Sequence, residues 1–293
     1  MASEVFAPAK INLTLHVTGR REDGYHMLDS LVSFAPVGDL LTISEGEGLS
    51  LRVSGPEAEG VPEDGSNLVM KAASLLGGDA ALHLDKALPA ASGIGGGSAD
   101  AAAALRGLSA WGGSDASPQA LLERHGAAIL ALGADVPMCV ASRPLRAQGI
   151  GERLTPLALP PVAAVLVNPR LQVSTPSVFR ALESRDNTPM PDDIPEMADA
   201  AELIAFLHEM RNDLQAPACA VQPAIRDVLA RIGGQPGCSL VRMSGSGATC
   251  FGLFLSEKEA QASAEAIAAA EPGWWVASGV LGDCSALAAP RGQ

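Results

Sequence analysis

Apolar and polar residues alternate without a break from Ala9 to Val17. Ile11, Leu13, Leu15 and Val17 fall on one side, and Lys10, Asn12, Thr14 and His16 on the other. Successive side chains of a strand point to opposite faces, so 9–17 is predicted to be a half-buried strand with a polar face. Apolar runs predict further strands at 31–34, 39–44, 49–53 and 81–86. A helix is predicted at 67–76, where Val69, Ala72, Ala73 and Leu76 share a face. Another covers 98–111. A third starts at Pro118 behind the N-cap residue Ser117 and ends at Gly133. The second half opens with a strand at 162–167, broken by Asn168-Pro169. A short helix is predicted with Thr175 as N-cap and Pro176 in its first position. Residues 185–195 hold three prolines and several acids and read as a surface loop. Helices at 198–211, 223–232 and 257–270, with strands at 240–243, 249–255 and 274–279, complete the pattern. Strands and helices mix throughout, so the fold class is α+β. Gly and Pro gather over 149–161, which divides the chain into candidate domains 1–153 and 154–293.

The stretch Ser92-Gly93-Ile94-Gly95-Gly96-Gly97-Ser98 fits none of these patterns: four glycines occupy five positions and run into Ala99-Asp100-Ala101-Ala102. A flexible turn therefore feeds strong helix formers. The first turn of a helix has free N–H groups and positive dipole character, and glycines let a phosphate come close. A nucleotide phosphate site is one reading; a plain glycine-rich connection between strand and helix is the other. The loop lacks the Lys-Ser/Thr of a P-loop and the strand-to-glycine context of a dinucleotide fingerprint.

Composition narrows the partners. Hydrophobic residues make up 47% and the net charge is -13. The first argues for a folded core, and the second against nucleic acid or an anionic membrane as partner. A phosphate site in so acidic a chain must draw its positive potential locally, and there are only four lysines: Lys10, Lys71, Lys86 and Lys258. The five cysteines show no C-x-x-C spacing, which suggests a reducing compartment without zinc or disulfides. Residues 1–5 have no signal-peptide character, and the apolar runs are strand-sized. A cytoplasmic location is expected, with no obligate protein partner.

Four features carry candidate chemistry. Tyr25 is the only tyrosine, next to His26 in Asp23-Gly24-Tyr25-His26. It reads as a base-stacking ring with an edge reader, or as a surface aromatic covering a strand end. Lys10 can hold a phosphate or lower a hydroxyl pKa, or can be simply solvated. Asp135, in Gly133-Ala134-Asp135-Val136-Pro137, can act as a general base, hold a metal, or cap the segment that follows. Ser244-Gly245-Ser246-Gly247 is a second small-residue loop, either a tight hairpin or a close approach to phosphates.

Three segments taken together resemble the GHMP small-molecule kinase superfamily: Ala7-Pro8-Ala9-Lys10-Ile11-Asn12-Leu13, Gly93-Ile94-Gly95-Gly96-Gly97-Ser98-Ala99-Asp100, and Met243-Ser244-Gly245-Ser246-Gly247-Ala248-Thr249. Asp23-Gly24-Tyr25-His26, Gly133-Ala134-Asp135-Val136-Pro137 and Ser174-Thr175-Pro176-Ser177-Val178-Phe179 are similar to a branch whose acceptor is a cytidine diphosphate-linked methylerythritol. The resemblance implies a two-domain fold with the active site in the interdomain cleft, and ATP with Mg2+ as cofactors. It implies that Pro89, Ala90, Ala91, Ser92, Gly93, Ile94, Gly95, Gly96, Gly97, Ser98 and Ala99 wrap the ATP phosphates. Lys10 and Asp135 match the catalytic pair, Asp135 as base and Lys10 as charge stabiliser. Asn12 would hold the acceptor, Tyr25 and Phe179 would sandwich the cytosine, and His26 would bond its edge. No metal ligand is assigned. Other readings are a homoserine- or mevalonate-type kinase, whose acceptor carries no nucleobase, and a non-catalytic nucleotide-binding module. One departure stands out: Ala141-Ser142-Arg143-Pro144 replaces a Gly-Gly turn.

Overall fold

The computed structural model describes residues 2–292, and its elements run β1 (Ala2–Asn12), β2 (His16–Arg20), β3 (His26–Ser44), β4 (Leu49–Ser54), α1 (Leu68–Leu76), β5 (Ala80–Asp85), α2 (Gly96–Trp111), α3 (Pro118–Leu132) and α4 (Val136–Ala141). There follow β6 (Leu145–Gly149), β7 (Arg153–Pro156), β8 (Val162–Asn168), α5 (Thr175–Arg180), α6 (Ala200–His208), α7 (Gln215–Val221), α8 (Ala224–Gly233), β9 (Leu240–Met243), β10 (Cys250–Phe254), α9 (Glu257–Ala270), β11 (Trp275–Leu281) and β12 (Arg291–Gly292).

The long β3 organises an eight-stranded sheet, pairing with β1, β2, β5 and β6 along its length. The strands predicted at 31–34 and 39–44 are both parts of it. Its pairing with β1 slips between Pro8 and Ala9, where Pro8 has no N–H to give the ladder. The alanine-rich α2 lies against this sheet. Small side chains let it come close: a Cβ on Gly107 would stand 2.3 Å from Ile43 Cδ1 and 2.7 Å from Val5 Cγ2. The second sheet has the order β11-β8-β10-β9 and is wholly antiparallel. Both faces of β8 are covered. Ala163, Val165 and Val167 join a core with α7–α9, while Val162, Ala164 and Leu166 meet Ala9, Ile11 and Leu13 of the first sheet.

Three expectations need correction. The alternating stretch 9–17 is not one strand: β1 ends at Asn12 and β2 begins at His16. Its polar face is not solvated, because the second half of the chain covers it; Thr14 Oγ1 meets Met190, and His16 Nδ1 lies 3.1 Å from the Thr188 carbonyl. The N-cap of α5 is Ser174, one residue before Thr175. Between α3 and α4 the chain breaks at Gly133–Asp135, and the apolar segment that follows Asp135 is the short α4. Where the resemblance calls for Gly-Gly, Ser142 itself adopts the left-handed conformation with φ 48°, and its hydroxyl donates to the Cys139 carbonyl at 2.7 Å. A local hydrogen bond thus supports a backbone shape that glycine would adopt without one.

Candidate active site

Three chain-distant segments converge where the sheets meet. Lys10 N–H, at the end of β1, donates to the Ile94 carbonyl in the glycine loop at 3.0 Å. The Asn12 N–H donates to Ser244 Oγ at 3.0 Å, and that hydroxyl donates onward to the Gly93 carbonyl at 3.0 Å. The hairpin reading of 244–249 is correct, since β9 and β10 pair across it, and the same loop also supports the glycine loop. Thr175 Oγ1, free of a capping role, lies 2.8 Å from Ser246 Oγ and ties α5 to it.

Glycine is required where the loops cross. Gly93 has φ +77°, and a Cβ there would stand 2.6 Å from the Ser244 carbonyl oxygen. Gly95 has φ +68°, and its Cβ would meet Lys10 Cγ at 2.7 Å. Gly96 and Gly97 open α2, two residues before the predicted start, and have no neighbour within 3.4 Å of a Cβ position. The free N–H groups of this helix end face a cavity of about 390 Å³ lined by Lys10, Asn12, Gly95, Gly96, Gly97, Ser98 and Asp135. Such an end suits the phosphates of ATP. Gly93→Ala is expected to raise the KM for ATP by roughly tenfold or more, because the loop must shift from its hairpin support. Steady-state kinetics at saturating acceptor check this; an unmoved KM would show that the loop tolerates the shift.

Lys10 is 5% exposed, not solvated. Its Nζ donates to Asn12 Oδ1 at 2.6 Å and lies 3.1 Å from Asp135 Oδ2. Asn12 Nδ2 donates to Ser30 Oγ at 2.8 Å, which fixes the amide. Asp135 stands at the N-cap position of α4 but makes no side-chain capping bond; its carboxylate goes to Lys10. That side chain keeps 38% of its surface exposed, open to the cavity.

A second cavity of about 810 Å³ adjoins the first and shares Asp135, Ser98 and Phe179 with it. Tyr25, His26 and Phe179 all line it. Tyr25 is 61% exposed. The His26 ring stacks on Phe179 with centroids 4.6 Å apart and planes 23° from parallel, and its Nε2 is buried without a partner. Burial, and then Arg20 and Arg185, push the His26 pKa down and favour the neutral ring. Arg20, Arg180 and Arg185 on this wall escaped the sequence reading, as arginines at a strand end, at a helix end and in a loop carry no pattern. Pro89 and Ala90 line neither cavity; they border a separate hollow with Glu57 and Arg170. Among the described residues no three His, Cys, Asp or Glu side chains are grouped to hold a metal ion, and no helix is long and apolar enough to cross a membrane.

Comparison with known proteins agrees with this geometry. The family model for the GHMP kinases N terminal domain matches residues 67–143, and that for GHMP kinases C terminal matches 193–272. The fold is that of the GHMP small-molecule kinases, enzymes that use ATP. The curated 4-diphosphocytidyl-2-C-methyl-D-erythritol kinase of Cereibacter sphaeroides is 55% identical over 94% of this chain and 97% of its own. That of Paracoccus denitrificans is 56% identical over 94% and 95%. A crystal structure of 4-(cytidine 5'-diphospho)-2C-methyl-D-erythritol kinase aligns with a TM-score of 0.73 at 37% identity, covering 95% of this chain and 99% of that one. The chain belongs to the 4-diphosphocytidyl-2-C-methyl-D-erythritol kinase family.

Proposed function

We propose that this chain moves the γ-phosphoryl group of ATP to the 2-hydroxyl of 4-diphosphocytidyl-2-C-methyl-D-erythritol, a step of non-mevalonate isoprenoid synthesis. The observation that carries the reading is Asp135: it lines both cavities, so donor and acceptor meet at one carboxylate. Asp135 accepts the proton of the attacking hydroxyl. Lys10, held by Asn12, orients that carboxylate and offsets the charge that develops during transfer. The start of α2 and its glycines hold the phosphates in line, and positioning with charge neutralisation supplies most of what phosphoryl transfer needs. Mg2+ bound with the nucleotide would supply further neutralisation; no protein ligand is assigned to it, and among the described residues no three His, Cys, Asp or Glu side chains are grouped to hold it.

Tyr25 and Phe179 grip the cytosine, and His26 offers its free Nε2 to the base edge. In the structure as described His26 covers a face of Phe179, so the base either displaces that ring or stacks beside it. Arg20, Arg180 and Arg185 give the acceptor's diphosphate a local positive field in a chain of net charge -13. In this reading 1–153 carries nucleotide binding and catalysis, and 154–293 closes the cleft. Its partners are small molecules alone, and its place is the cytoplasm.

The test is ADP release with ATP, Mg2+ and the cytidyl acceptor, beside homoserine and mevalonate. Turnover with the cytidyl compound alone is expected; turnover with another acceptor overturns the nucleobase pocket. In the same assay Tyr25→Ala is expected to raise the acceptor KM by roughly tenfold or more, as a base-stacking ring is worth about 1–3 kcal/mol. An acceptor KM at the parent value would remove Tyr25 from the pocket.

A further inference from the structure

Behind the glycine loop lies a buried ionic group that the reading above leaves without a task. Lys86, one residue past β5, is 4% exposed. Its Nζ donates to Asp39 Oδ2 at 2.5 Å and to Asp100 Oδ2 at 2.7 Å. Asp39 belongs to β3 and is fully buried; its Oδ1 accepts the N–H groups of Ala87 and Leu88 at 2.6 and 2.8 Å. Asp100 sits in the first turns of α2 and is 3% exposed. The ammonium is 3.5 Å from the point where a Gly96 Cβ would stand, directly behind the helix end that faces the phosphate site.

This arrangement does more than fill space. Burying charge is unfavourable unless the partners are fixed, and replacing such a group by apolar residues is often harmless to stability. Here it joins three elements at one point: β3 through Asp39, the strand-to-loop junction through Lys86 and its neighbours, and α2 through Asp100. The backbone from Ala87 to Leu88 is pinned at the entry of the loop, and Asp100 at its exit. Between them lie the N–H groups that hold the phosphates.

We infer that Lys86 and Asp100 are positioning residues for phosphoryl transfer: through Asp39 they fix the first turn of α2 against the sheet and so aim its N–H groups at ATP. The inference rests on the ATP reading of the glycine loop. It carries a condition on charge. Two carboxylates against one ammonium would leave a net negative charge behind a site that must attract phosphates. Asp100 is where that charge is least favoured. Its Oδ1 is buried with no hydrogen-bond partner, where a full carboxylate is poorly stabilised. Burial raises its pKa well above the usual carboxylate range; Lys86 opposes that rise and Asp39 adds to it. On Lys86 burial acts downward, but attraction to Asp100 and Asp39 prevails and raises its pKa, so the ammonium persists.

The test compares two substitutions at Asp100, both of which leave the Lys86–Asp39 pair intact. Asp100→Leu cuts the tie to α2. Asp100→Asn keeps an acceptor for Lys86 without a charge. For Asp100→Leu the KM for ATP is expected to rise about tenfold or more while the acceptor KM stays within about twofold. Asp100→Asn is expected to restore the ATP KM to within about threefold of the parent chain. Three outcomes overturn the inference: an ATP KM within about twofold of the parent for the Leu variant, a parallel rise in both KM values, or an Asn variant as impaired as the Leu one. Should Asp100→Leu fail to fold by circular dichroism, Lys86→Leu with Asp39→Asn takes its place under the same criteria. Failure of the ATP reading shows separately, as a parent chain that releases no ADP with any acceptor.

Discussion

Asp135→Asn is expected to lower kcat by roughly 100- to 10,000-fold, the range that a positioned general base supplies. Both KM values should stay within about threefold. Asn keeps the size of the side chain and an oxygen for Lys10 Nζ, which lies 3.1 Å from Asp135 Oδ2. It removes the negative charge opposite Lys10 and, with it, the capacity to take the proton of the attacking hydroxyl. Steady-state kinetics with ATP and the cytidyl acceptor check this. A kcat within about fivefold of the parent would mean that the hydroxyl loses its proton elsewhere, and that Asp135 serves only to place Lys10. The two cavities meet at this carboxylate, and no other acid lines both to replace it.

The second large effect is on stability. Arg106→Ala is expected to cost about 3–5 kcal/mol, measured by chemical denaturation. Arg106 projects from α2 and is 3% exposed. Its Nε donates to the Ala288 carbonyl at 2.9 Å, its Nη1 to the Cys139 carbonyl at 2.8 Å and its Nη2 to the Phe6 carbonyl at 3.1 Å. Burial pushes its pKa down to about 10, so it remains a cation at neutral pH. Among the described residues no carboxylate pairs with it; backbone carbonyls, with Ser142 Oγ at 3.5 Å, stabilise the charge. Truncation removes a donor from each of those carbonyls, of which Cys139 keeps the Ser142 hydroxyl, and opens a cavity. Arg106→Met, which refills the cavity without the donors, should recover only a minor part. A loss below about 1 kcal/mol for the Ala variant would show that water reaches the vacated site.

How much of this could be read from the sequence follows from the range of each interaction. The glycine loop was legible because its shape is set locally, by positive φ at Gly93 and Gly95 and by the helix formers behind them. Helices such as α3 were legible through Ser117, whose hydroxyl accepts from the Ala120 N–H, and Pro118 beside it. The alternating stretch 9–17 misled because alternation tells which residues share a face, not what covers it. Lys10, Asn12, Thr14 and His16 are polar yet buried, since Asp135, Ser244, Met190 and Thr188 respectively supply partners from far along the chain. The strand β6 went unseen because Arg146 interrupts its apolar character, and β7 because its residues, Arg153-Leu154-Thr155-Pro156, are mostly exposed and form no apolar run. Arg146 is buried in a two-pronged pair with Asp29 at 2.7 Å and also bonds the Pro191 and Asp192 carbonyls. Lys86 offered a signal of another kind: in a chain of four lysines, one stands just before the glycine loop. Its partners Asp39 and Asp100 are 47 and 14 residues away, beyond any periodic pattern.

The last strand, β12, pairs with β1, and the Cys284 N–H donates to the Ser142 carbonyl at 2.9 Å. The end of the chain thus returns to the sheet that its beginning started. Arg106 receives one of its carbonyls from Ala288, 182 residues further on. During synthesis, α2 and the first sheet must therefore wait for that carbonyl until Ala288 has left the ribosome, with a buried cation short of a partner in the meantime. An amino-terminal half made alone would lack both the closing strand and this acceptor. Maturation of the first sheet and α2 is thereby tied to synthesis of the chain as far as Ala288, and a product cut short of it is disfavoured from folding stably.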